Sequence, residues 1–449
     1  MMMKQPVRTS RKLMLITLVF VMFVFSIVMT GCGSGSKSED GDAVTISWLV
    51  TSNPAKMPWY EQTVKDFEAK HPNIKVKLMT FPYAQIDQKI QTMISGKSMA
   101  DVWSANWSQA GFASFKQLDV LMDLTPYVEK EPNVVKGIDP RLLDIYKMDG
   151  KMYGLPMLNY GTFLFYNKDL LDAAGLPYPP ADWEDKSWNW DKMVDYGKKL
   201  NDKSKQQYGL LYDEMPNKRA WLFGGDFFSA EAYKTGKMGE PAILKNPKNM
   251  EAMQKNADLV LKHQISPNPS QIEAMNQLGN PFMTGKVGMM IGGGWGFQNF
   301  KKAEFRWGAA ALPYVEGRQI SLYVDPWNIY KHTKHPKEAW TFVKFLMDPK
   351  GAAKTYAENT GATPVFDELL KKWYEDTAKA MEMKPEDVRR LNEGVIQYGR
   401  ESDNHLIAKF ESILKTTNQT MGAVNSGTKS VEEGLKDIDR NLRALKLNE

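Results

Sequence analysis

The stretch that decides the fold is VTISWLV at residues 44–50, which alternates and then becomes continuously apolar, as buried strands do. Residues 58–70 follow with apolar side chains spaced for one face of a helix. HPN at residues 71–73 ends that helix, because a residue before proline is driven out of the α region. Residues 74–78 alternate apolar and lysine side chains, which predicts a second strand. The chain therefore opens β-α-β, the start of a parallel sheet covered by helices.

The rest of the chain continues to alternate strand and helix patterns. FLFYN at residues 163–167 and VGMMI at residues 287–291 predict strands, whereas residues 190–200 carry apolar side chains at helical spacing. From Glu386 onward the pattern is helical and polar, with no strand candidate. These patterns predict the α/β class. About 420 residues follow the N-terminal segment, more than the ~250–300 at which a single core stops growing, so two lobes are expected.

The N-terminal segment reads as an export signal. Basic residues precede an apolar run that begins at Leu13, and the only cysteine, Cys32, follows that run. MTGC at residues 29–32 resembles the lipobox of bacterial lipoproteins. We therefore expect residues 1–31 to be a lipoprotein signal peptide and residues 32–42 a flexible linker after a lipidated cysteine. The alternative is an uncleaved transmembrane anchor, since the run approaches the ~20 residues that cross a bilayer.

Charge and cysteine usage exclude several classes of protein. Residues 1–31 hold four Lys or Arg residues and no acid, so their removal lowers the net charge from +5 to +1. A nearly neutral mature chain gives no argument for binding nucleic acid. With Cys32 used for the anchor, an internal disulfide is impossible, and the fold must depend on large hydrophobic cores.

Six segments resemble, in order, those of family 1 extracellular solute-binding proteins, the ligand-capturing subunits of ABC importers related to the maltose-binding protein. Each segment is short, and their order along essentially the whole mature chain carries the resemblance. Ala100 stands where the family usually has proline. The segments are DFE with HPNIKV (66–68, 71–76), ADVW (100–103), DGKMYGLP (149–156), YNKDL with GLP (166–170, 175–177), FMTGKVGM (282–289), and EAW with FL (338–340, 345–346).

The resemblance implies a two-lobed periplasmic-binding-protein type II fold with a ligand cleft between the lobes. The chain would cross between lobes three times, near Leu158, near residues 313–319 and near Asn359. The predicted lobes are then residues 43–158 with 318–358 for lobe 1, and residues 159–317 with 359–449 for lobe 2.

A sugar site needs aromatic rings for the apolar C–H faces and polar side chains for the hydroxyls. Trp295 is the strongest candidate, because three glycines let the backbone turn tightly at a strand end and the family carries a stacking tryptophan there. The resemblance places other candidates on cleft loops. The full set of predicted ligand-binding residues is Trp295, Asn106, Trp107, Asn159, Tyr160, Asp325, Trp327, Asp213, Trp221 and Trp59.

The predicted function is that of a lipid-anchored solute-binding protein on the extracellular face of the cell membrane. It would capture a carbohydrate, an oligosaccharide, by hinge closure and deliver it to the permease subunits of an ABC importer. We expect a monomer without cofactor or metal. The alternatives are a surface-anchored enzyme acting on glycosides with two carboxylates, or a carbohydrate-binding adhesin. The sequence shows no metalloprotease, nucleophile-elbow or phosphate-loop motif, and it lacks the all-β alternation of an adhesin.

Overall fold

The predicted β-α-β opening is confirmed in the computed structural model. Strand β1 (Val44–Thr51) pairs in parallel with strand β2 (Ile74–Phe81), and the helix Met57–Lys70 connects them. The helix is covered on one face by the core, where Trp59, Tyr60 and Phe67 are buried. The structure describes residues 43–54 and 56–446. The predicted signal peptide, the linker and the lipidated Cys32 lie outside the described residues.

A ten-stranded mixed sheet organises the described residues. Its main strand order is β2-β1-β3-β10-β6-β8-β7, with β9 and β11 paired to β6 and with β12 paired to β10. The separate hairpin β4-β5 turns at Asp149 and Gly150, both at positive φ. The remaining strands are β3 (Val102–Trp103), β4 (Lys147–Met148), β5 (Lys151–Met152), β6 (Leu155–Asn167), β7 (Tyr208–Tyr212), β8 (Val287–Gly293), β9 (Trp307–Ala310), β10 (Ile320–Ile329), β11 (Thr363–Pro364) and β12 (Gly399–Glu401).

Strands β6 and β10 link the two ends of this sheet. They are antiparallel to each other, with Val324 opposite Asn159 and Tyr323 opposite Tyr160. Beyond this shared segment β6 pairs with β8 and β9, whereas β10 pairs with β3. Strand β11 also pairs with β6 next to Leu158. The segments predicted to cross between lobes near Leu158, residues 313–319 and Asn359 thus lead into neighbouring strands, and the exact lobe boundaries stay a prediction.

Strand β12 corrects the expectation that no strand follows Glu386. Gly399, Arg400 and Glu401 pair in parallel with Ile320, Ser321 and Leu322 of β10. The hydrophobic alternation that signals a strand is missing, because Arg400 forms an ion pair with Asp226 and Glu401 contacts His405. The side chains of β12 therefore contact polar groups, and the strand lacks the apolar face that a prediction from hydrophobic alternation requires.

Helices cover the sheet and enclose an aromatic core. Trp48 of β1 is fully buried and makes edge contacts with Tyr60, Trp327 and Phe342 at ring-centroid distances of 5.1–5.7 Å. None of the helices within the described ranges is both long enough and apolar enough to cross a membrane. The α-helices are Met57–Lys70, Tyr83–Ser95, Gly111–Gln117, Thr125–Lys130, Pro140–Asp144, Lys168–Ala173, Trp190–Leu200, Pro216–Trp221, Ala230–Thr235, Pro247–Leu261, Pro269–Gln277, Gly296–Asn299, Pro336–Leu346, Ala352–Thr360, Asp367–Met381, Pro385–Tyr398, Asp403–Leu406, Phe410–Asn425 and Val431–Lys446.

Candidate functional site

Trp295 lies just beyond the end of β8, after the glycines at 292, 293 and 294. A Cβ atom on Gly293 would lie 2.2 Å from the Trp295 ring, so the ring can rest against the strand end only because that residue is glycine. Trp295 is half-buried. The local geometry that the sequence predicted for an aromatic platform is present, and contact with a ligand stays a prediction.

Two tyrosines extend this platform into an aromatic wall, formed by Tyr160, Trp295 and Tyr323. Tyr160 on β6 and Tyr323 on β10 are directly opposite in the antiparallel register. Their rings lie 6.0 Å and 5.1 Å from that of Trp295, with interplanar angles of 78° and 67°. Such edge-on contacts are favourable arrangements for aromatic rings. All three rings are half-buried, so part of each remains open to solvent.

A carboxylate lies at the polar edge of the aromatic wall. Tyr323 donates its hydroxyl to Glu214 Oε2 over 2.8 Å, and Thr162 donates to Glu214 Oε1 over 2.8 Å. Both oxygens of Glu214 are therefore oriented by the strands that carry the wall. Each carboxylate oxygen still has a lone pair for another donor, such as a ligand hydroxyl.

A buried ion pair supports Tyr323 from behind. The Lys218 ammonium donates to the Tyr323 hydroxyl over 3.0 Å and to Asn404 Oδ1 over 3.2 Å, and it lies 3.7 Å from Asp403 Oδ1. The side chains of Lys218 and Asp403 are both 0% exposed. Burial raises the pKa of Asp403, while Lys218 and Asn217 oppose that rise. The aromatic wall thus rests on charges that cannot be removed singly without leaving a buried one unpaired.

The turn after β7 places Asp213 in the open beside Glu214. The Asp213 N–H donates to Ile291 O over 2.8 Å, and Arg219 donates to the carbonyls of Glu214 and Tyr212, each over 2.8 Å. These bonds fix the turn. Surrounding protein raises the pKa of the Asp213 carboxyl, and Arg219 partly opposes the rise. The predicted residue Asp213 is exposed and available, and its contact with ligand stays a prediction.

Asp325 is the second carboxylate of the site and lies on β10. The register between β10 and β6 shifts between Asp325 and Pro326, an irregularity of the kind that redirects a side chain. Burial raises the Asp325 pKa to about 6, against the opposing effects of Lys56 and of a hydrogen bond from Trp107. By accessible surface Asp325 is only half-buried.

Lys56 and Tyr356 lie beside Asp325, and we call these three residues the charged wall. Lys56 Nζ donates to the Tyr356 hydroxyl over 3.3 Å and lies 5.6 Å from the centre of that ring. Burial lowers the Lys56 pKa, but Tyr160, Tyr60 and Asp325 outweigh burial, so the pKa is raised. The ammonium is therefore held in its charged form beside the carboxylate.

The two walls meet at Tyr160. Burial is the largest cause of the raised pKa of the Tyr160 hydroxyl. Lys56 opposes that rise, and Tyr356 and Asp325 add to it. Interactions with all three residues of the charged wall place Tyr160 at their side, while its ring contacts Trp295. Aromatic surface, a cation and carboxylates thus converge in one place, the combination that hydroxyl-rich ligands with apolar faces require.

Three predicted residues contact the charged wall or the strand beneath it. Trp107 packs edge-on against Trp327, whose ring is buried against Trp48, and it opposes the rise in the pKa of Asp325. Asn106 uses its amide within the protein, donating to Tyr146 Oη and Val324 O over 2.7 Å each. The hydrogen bonds of Asn106 thus hold the β10 backbone next to Asp325. Direct ligand contact by Asn106, Trp107 and Trp327 stays a prediction.

The other three predicted residues are buried. Trp59 donates its indole N–H to Thr355 Oγ1 over 3.0 Å and packs on Tyr356 at 4.5 Å. Asn159, opposite Val324, has no hydrogen-bond partner for Oδ1 among the described residues. Trp221 is fully buried, with the Arg400 guanidinium 4.8 Å from its ring centre. Trp59 and Trp221 therefore act here through packing, and their contact with ligand stays a prediction.

Sequence reasoning missed Lys56, Glu214, Tyr323 and Tyr356. Two of them had a usable local signal, because Glu214 is adjacent to the predicted Asp213 and Tyr323 is two residues before Asp325 on the same face of a strand. Lys56 and Tyr356 had none, since 300 residues of chain separate them.

Other features of the described residues do not compete with this site. Within residues 43–54 and 56–446, no group of three or more His, Cys, Asp or Glu side chains could hold a metal ion. A groove of about 1300 Å³ lies between the helices Pro269–Gln277 and Phe410–Asn425. Although the groove is large, its described lining contains one aromatic side chain, Tyr208, and no carboxylate. It therefore lacks the chemistry found at the two walls.

The chain belongs to the bacterial extracellular solute-binding protein family, whose profile matches residues 51–353. The galactooligosaccharide-binding protein of Bacillus subtilis (strain 168) is 27% identical over 361 residues, which cover 77% of this chain and 79% of that protein. The predicted family is thereby confirmed.

Solved structures confirm the two-lobed α/β fold. An ABC substrate-binding protein from Listeria monocytogenes in complex with cycloalternan superposes with a TM-score of 0.75 at 25% identity, covering 90% of this chain and 99% of that chain. The maltose-bound MalE3 of T. maritima superposes with a TM-score of 0.70 at 20% identity, covering 90% and 100%. These relatives are binding proteins, which confirms that the chain is a solute-binding protein and not an enzyme.

Proposed function

We propose that this protein captures a carbohydrate, an oligosaccharide, in the cleft between its lobes and delivers it to an ABC permease. The observation that carries the proposal is the meeting of the aromatic wall and the charged wall at Tyr160. Flat rings match the apolar C–H faces of a sugar, and Glu214, Asp325 and Lys56 offer partners for its hydroxyls.

The relatives support a carbohydrate over other solutes. One is named as a galactooligosaccharide-binding protein and another was solved with cycloalternan bound. A site for a bare metal ion would need a cluster of ligands that the described residues lack. Sugar rings, in contrast, use the aromatic side chains that this site displays.

Capture by lobe closure agrees with where the site residues are attached. Tyr160 lies on β6, and Tyr323 and Asp325 lie on β10, the two strands that link the ends of the sheet. A ligand bound by these residues would therefore contact side chains of the two linking strands themselves. Closure then follows if the ligand binds the closed form more tightly than the open form.

The anchor and the location belong to the same proposal. A lipid on Cys32, followed by the Gly- and Ser-containing linker, would hold a monomeric receptor on the extracellular face of the cell membrane, near its permease. Mass spectrometry of the mature N-terminus should find a lipid-modified Cys32. Recovery of an intact segment 1–31 would instead support the transmembrane anchor.

Titration of the purified soluble part with mono- and oligosaccharides tests capture. We expect a saturable change in tryptophan fluorescence, a more compact form by small-angle scattering, and recovery of the sugar unchanged. Product formation would contradict the receptor function, and failure of every carbohydrate to bind would contradict the ligand class.

Delivery needs a separate experiment in cells. Deleting the gene should abolish uptake of the sugar that the purified protein binds, and the wild-type gene should restore it. A Cys32→Ala variant, which retains the whole cleft, is the matched control for the anchor. Full uptake by that variant in washed cells would show that tethering is unnecessary.

A further inference from the structure

A close backbone contact that the site above does not use joins helix Gly111–Gln117 to segment 402–409. The helix belongs to predicted lobe 1 and the segment to predicted lobe 2. Gly111 has a φ of +68°, and a Cβ atom on it would lie 2.1 Å from Asn404 O and 2.9 Å from His405 Cα. The two backbones therefore touch, and only glycine fits between them.

Hydrogen bonds join the same two predicted lobes. The Lys409 N–H donates to Ser114 Oγ over 3.1 Å. Gln117 Nε2 donates to Gly236 O over 3.0 Å, and that oxygen also accepts from the Ala408 N–H over 2.9 Å. Gly236, like the segment, belongs to predicted lobe 2. We call this set of contacts the lobe brace, which joins Gly111, Ser114 and Gln117 to Asn404, His405, Lys409 and Gly236.

The lobe brace is buried and contains a strained residue. Ser114, Asn404 and His405 are all buried. Lys409, which donates to Ser114, has a φ of 57°, in the left-handed region that residues with a side chain rarely adopt. Backbone strain of this kind persists only where the surrounding contacts fix the chain. The hydrogen bond between the predicted lobes is therefore made by a backbone that is held in one conformation.

Strand β10 connects the lobe brace to the binding site. Val324 lies between Tyr323 of the aromatic wall and Asp325 of the charged wall. Its N–H donates to Glu401 Oε2 over 3.0 Å, and its carbonyl accepts from Asn106 Nδ2 over 2.7 Å. Glu401 directly precedes the segment of the brace in predicted lobe 2, whereas Asn106 lies in predicted lobe 1. Side chains from both predicted lobes thus bond one residue of a linking strand.

We propose that Gly111, Ser114 and Gln117 are positioning residues that brace the two lobes of the ligand-free protein. The inference rests on the proposed function, because it concerns the lobe movement that captures the sugar. The lobe brace holds the lobes together beside β10, so they open through a limited angle about the linking strands. A limited opening keeps the two walls near their binding geometry. The brace therefore raises the affinity for sugar without contacting it, since binding has less of a population to shift.

Small-angle scattering without ligand, followed by calorimetric titration with β-1,4-galactotriose and maltotriose, tests the lobe brace. In Gly111→Ala the added Cβ pushes the helix away from Asn404. We expect a larger radius of gyration without ligand than in wild type, and about tenfold weaker binding as the binding-competent fraction falls tenfold. The preference between the two sugars should not change, because no ligand contact is removed.

Gly137→Ala is the matched control for this variant. Gly137 also has a positive φ, +80°, so an alanine there is strained in the same way. No atom lies within 4 Å of its added Cβ, however, and nothing is pushed apart. The control should therefore keep the radius of gyration and the affinity of wild type. Equal changes in Gly111→Ala and Gly137→Ala would assign the effect to backbone strain and overturn the brace.

A gentler variant removes the hydrogen bonds of the brace without a steric clash. The double variant Ser114→Ala with Gln117→Met loses both side-chain partners of predicted lobe 2. It should show a larger radius of gyration without ligand and roughly threefold weaker binding. Gln254→Met removes an exposed hydrogen bond to Asp258 within one helix, and it should leave both quantities unchanged.

The scattering of the ligand-free protein separates failure of the brace from failure of the proposed function. If Gly111→Ala does not fold, the double variant alone decides. An unchanged radius of gyration in the double variant would overturn the brace, even if its affinity fell. If wild-type protein binds no carbohydrate, the proposed function fails, whereas a larger radius of gyration in the brace variants would still support the brace.

Discussion

The aromatic wall and the charged wall are built in opposite ways. Trp295 and Tyr323 rest on a fully buried ion pair, Lys218 with Asp403, so their positions depend on charges hidden from solvent. Asp325 and Lys56 are half-buried, so their side chains remain partly open to solvent. This difference predicts that the aromatic wall acts as a rigid binding face and that the charged wall responds to pH.

The largest effect should come from removing the support behind the aromatic wall. Lys218→Met leaves Asp403 buried and unpaired, and we expect the free energy of unfolding to fall by about 3–5 kcal/mol. Urea denaturation measures this. Lys372→Met, which removes an exposed pair with Asp376, is the matched control and should cost less than about 1 kcal/mol. Similar losses in both variants would refute the difference between buried and exposed charges.

Truncating the platform itself should affect binding more than stability. Trp295→Ala removes the central ring of the aromatic wall, and we expect a loss of about 2 kcal/mol in binding, roughly 30-fold in Kd. The ring is half-buried, so the melting temperature without ligand should move little. A large drop in ligand-free stability with an unchanged Kd would show that Trp295 is a core residue.

The charged wall should make the affinity for sugar depend on pH. Because the Asp325 pKa is raised to about 6, the carboxylate loses its charge as pH falls through that value, and affinity for sugar hydroxyls should fall with it. Asp325→Asn should bind about tenfold more weakly at pH 7.5 and show a flatter pH profile. Calorimetry at pH 5.0, 6.0 and 7.5 measures both.

Stability should change in the opposite direction in the same variant. A pKa raised in the folded state means that the protonated form is favoured, so ionisation destabilises the protein as pH rises through about 6. Asp325→Asn should therefore be more stable than wild type at pH 7.5 without ligand, and the difference should vanish near pH 4. A variant less stable at pH 7.5 would contradict this assignment.

The smallest effect should appear at Trp59, beneath the charged wall. Trp59→Phe retains a ring against Tyr356 but loses the hydrogen bond to Thr355, and we expect a cost of about 1 kcal/mol in unfolding. Sugar affinity should change less than twofold. A tenfold loss of affinity would instead establish Trp59 as a ligand contact.

The fold followed from local patterns to a large extent. The alternation at residues 44–50 and the proline stop at residue 72 predicted β1, its helix and β2, because periodicity reports which side chains are buried. The platform at Trp295 also came from local sequence, since three glycines at a strand end leave room for a ring. Strand β12 was not predicted, because Arg400 forms an ion pair with Asp226 and Glu401 contacts His405, so its side chains show no hydrophobic alternation.

By itself, the sequence determined the α/β class, the solute-binding family and the position of the central tryptophan. Tertiary structure alone decided which groups surround that tryptophan. Lys56 meets Tyr356 across 300 residues, and Lys218 supports Tyr323 across 105 residues. Burial and turn geometry produce sequence patterns that extend over a few residues. Contacts between distant strands depend on register and packing, and no local sequence pattern predicts these.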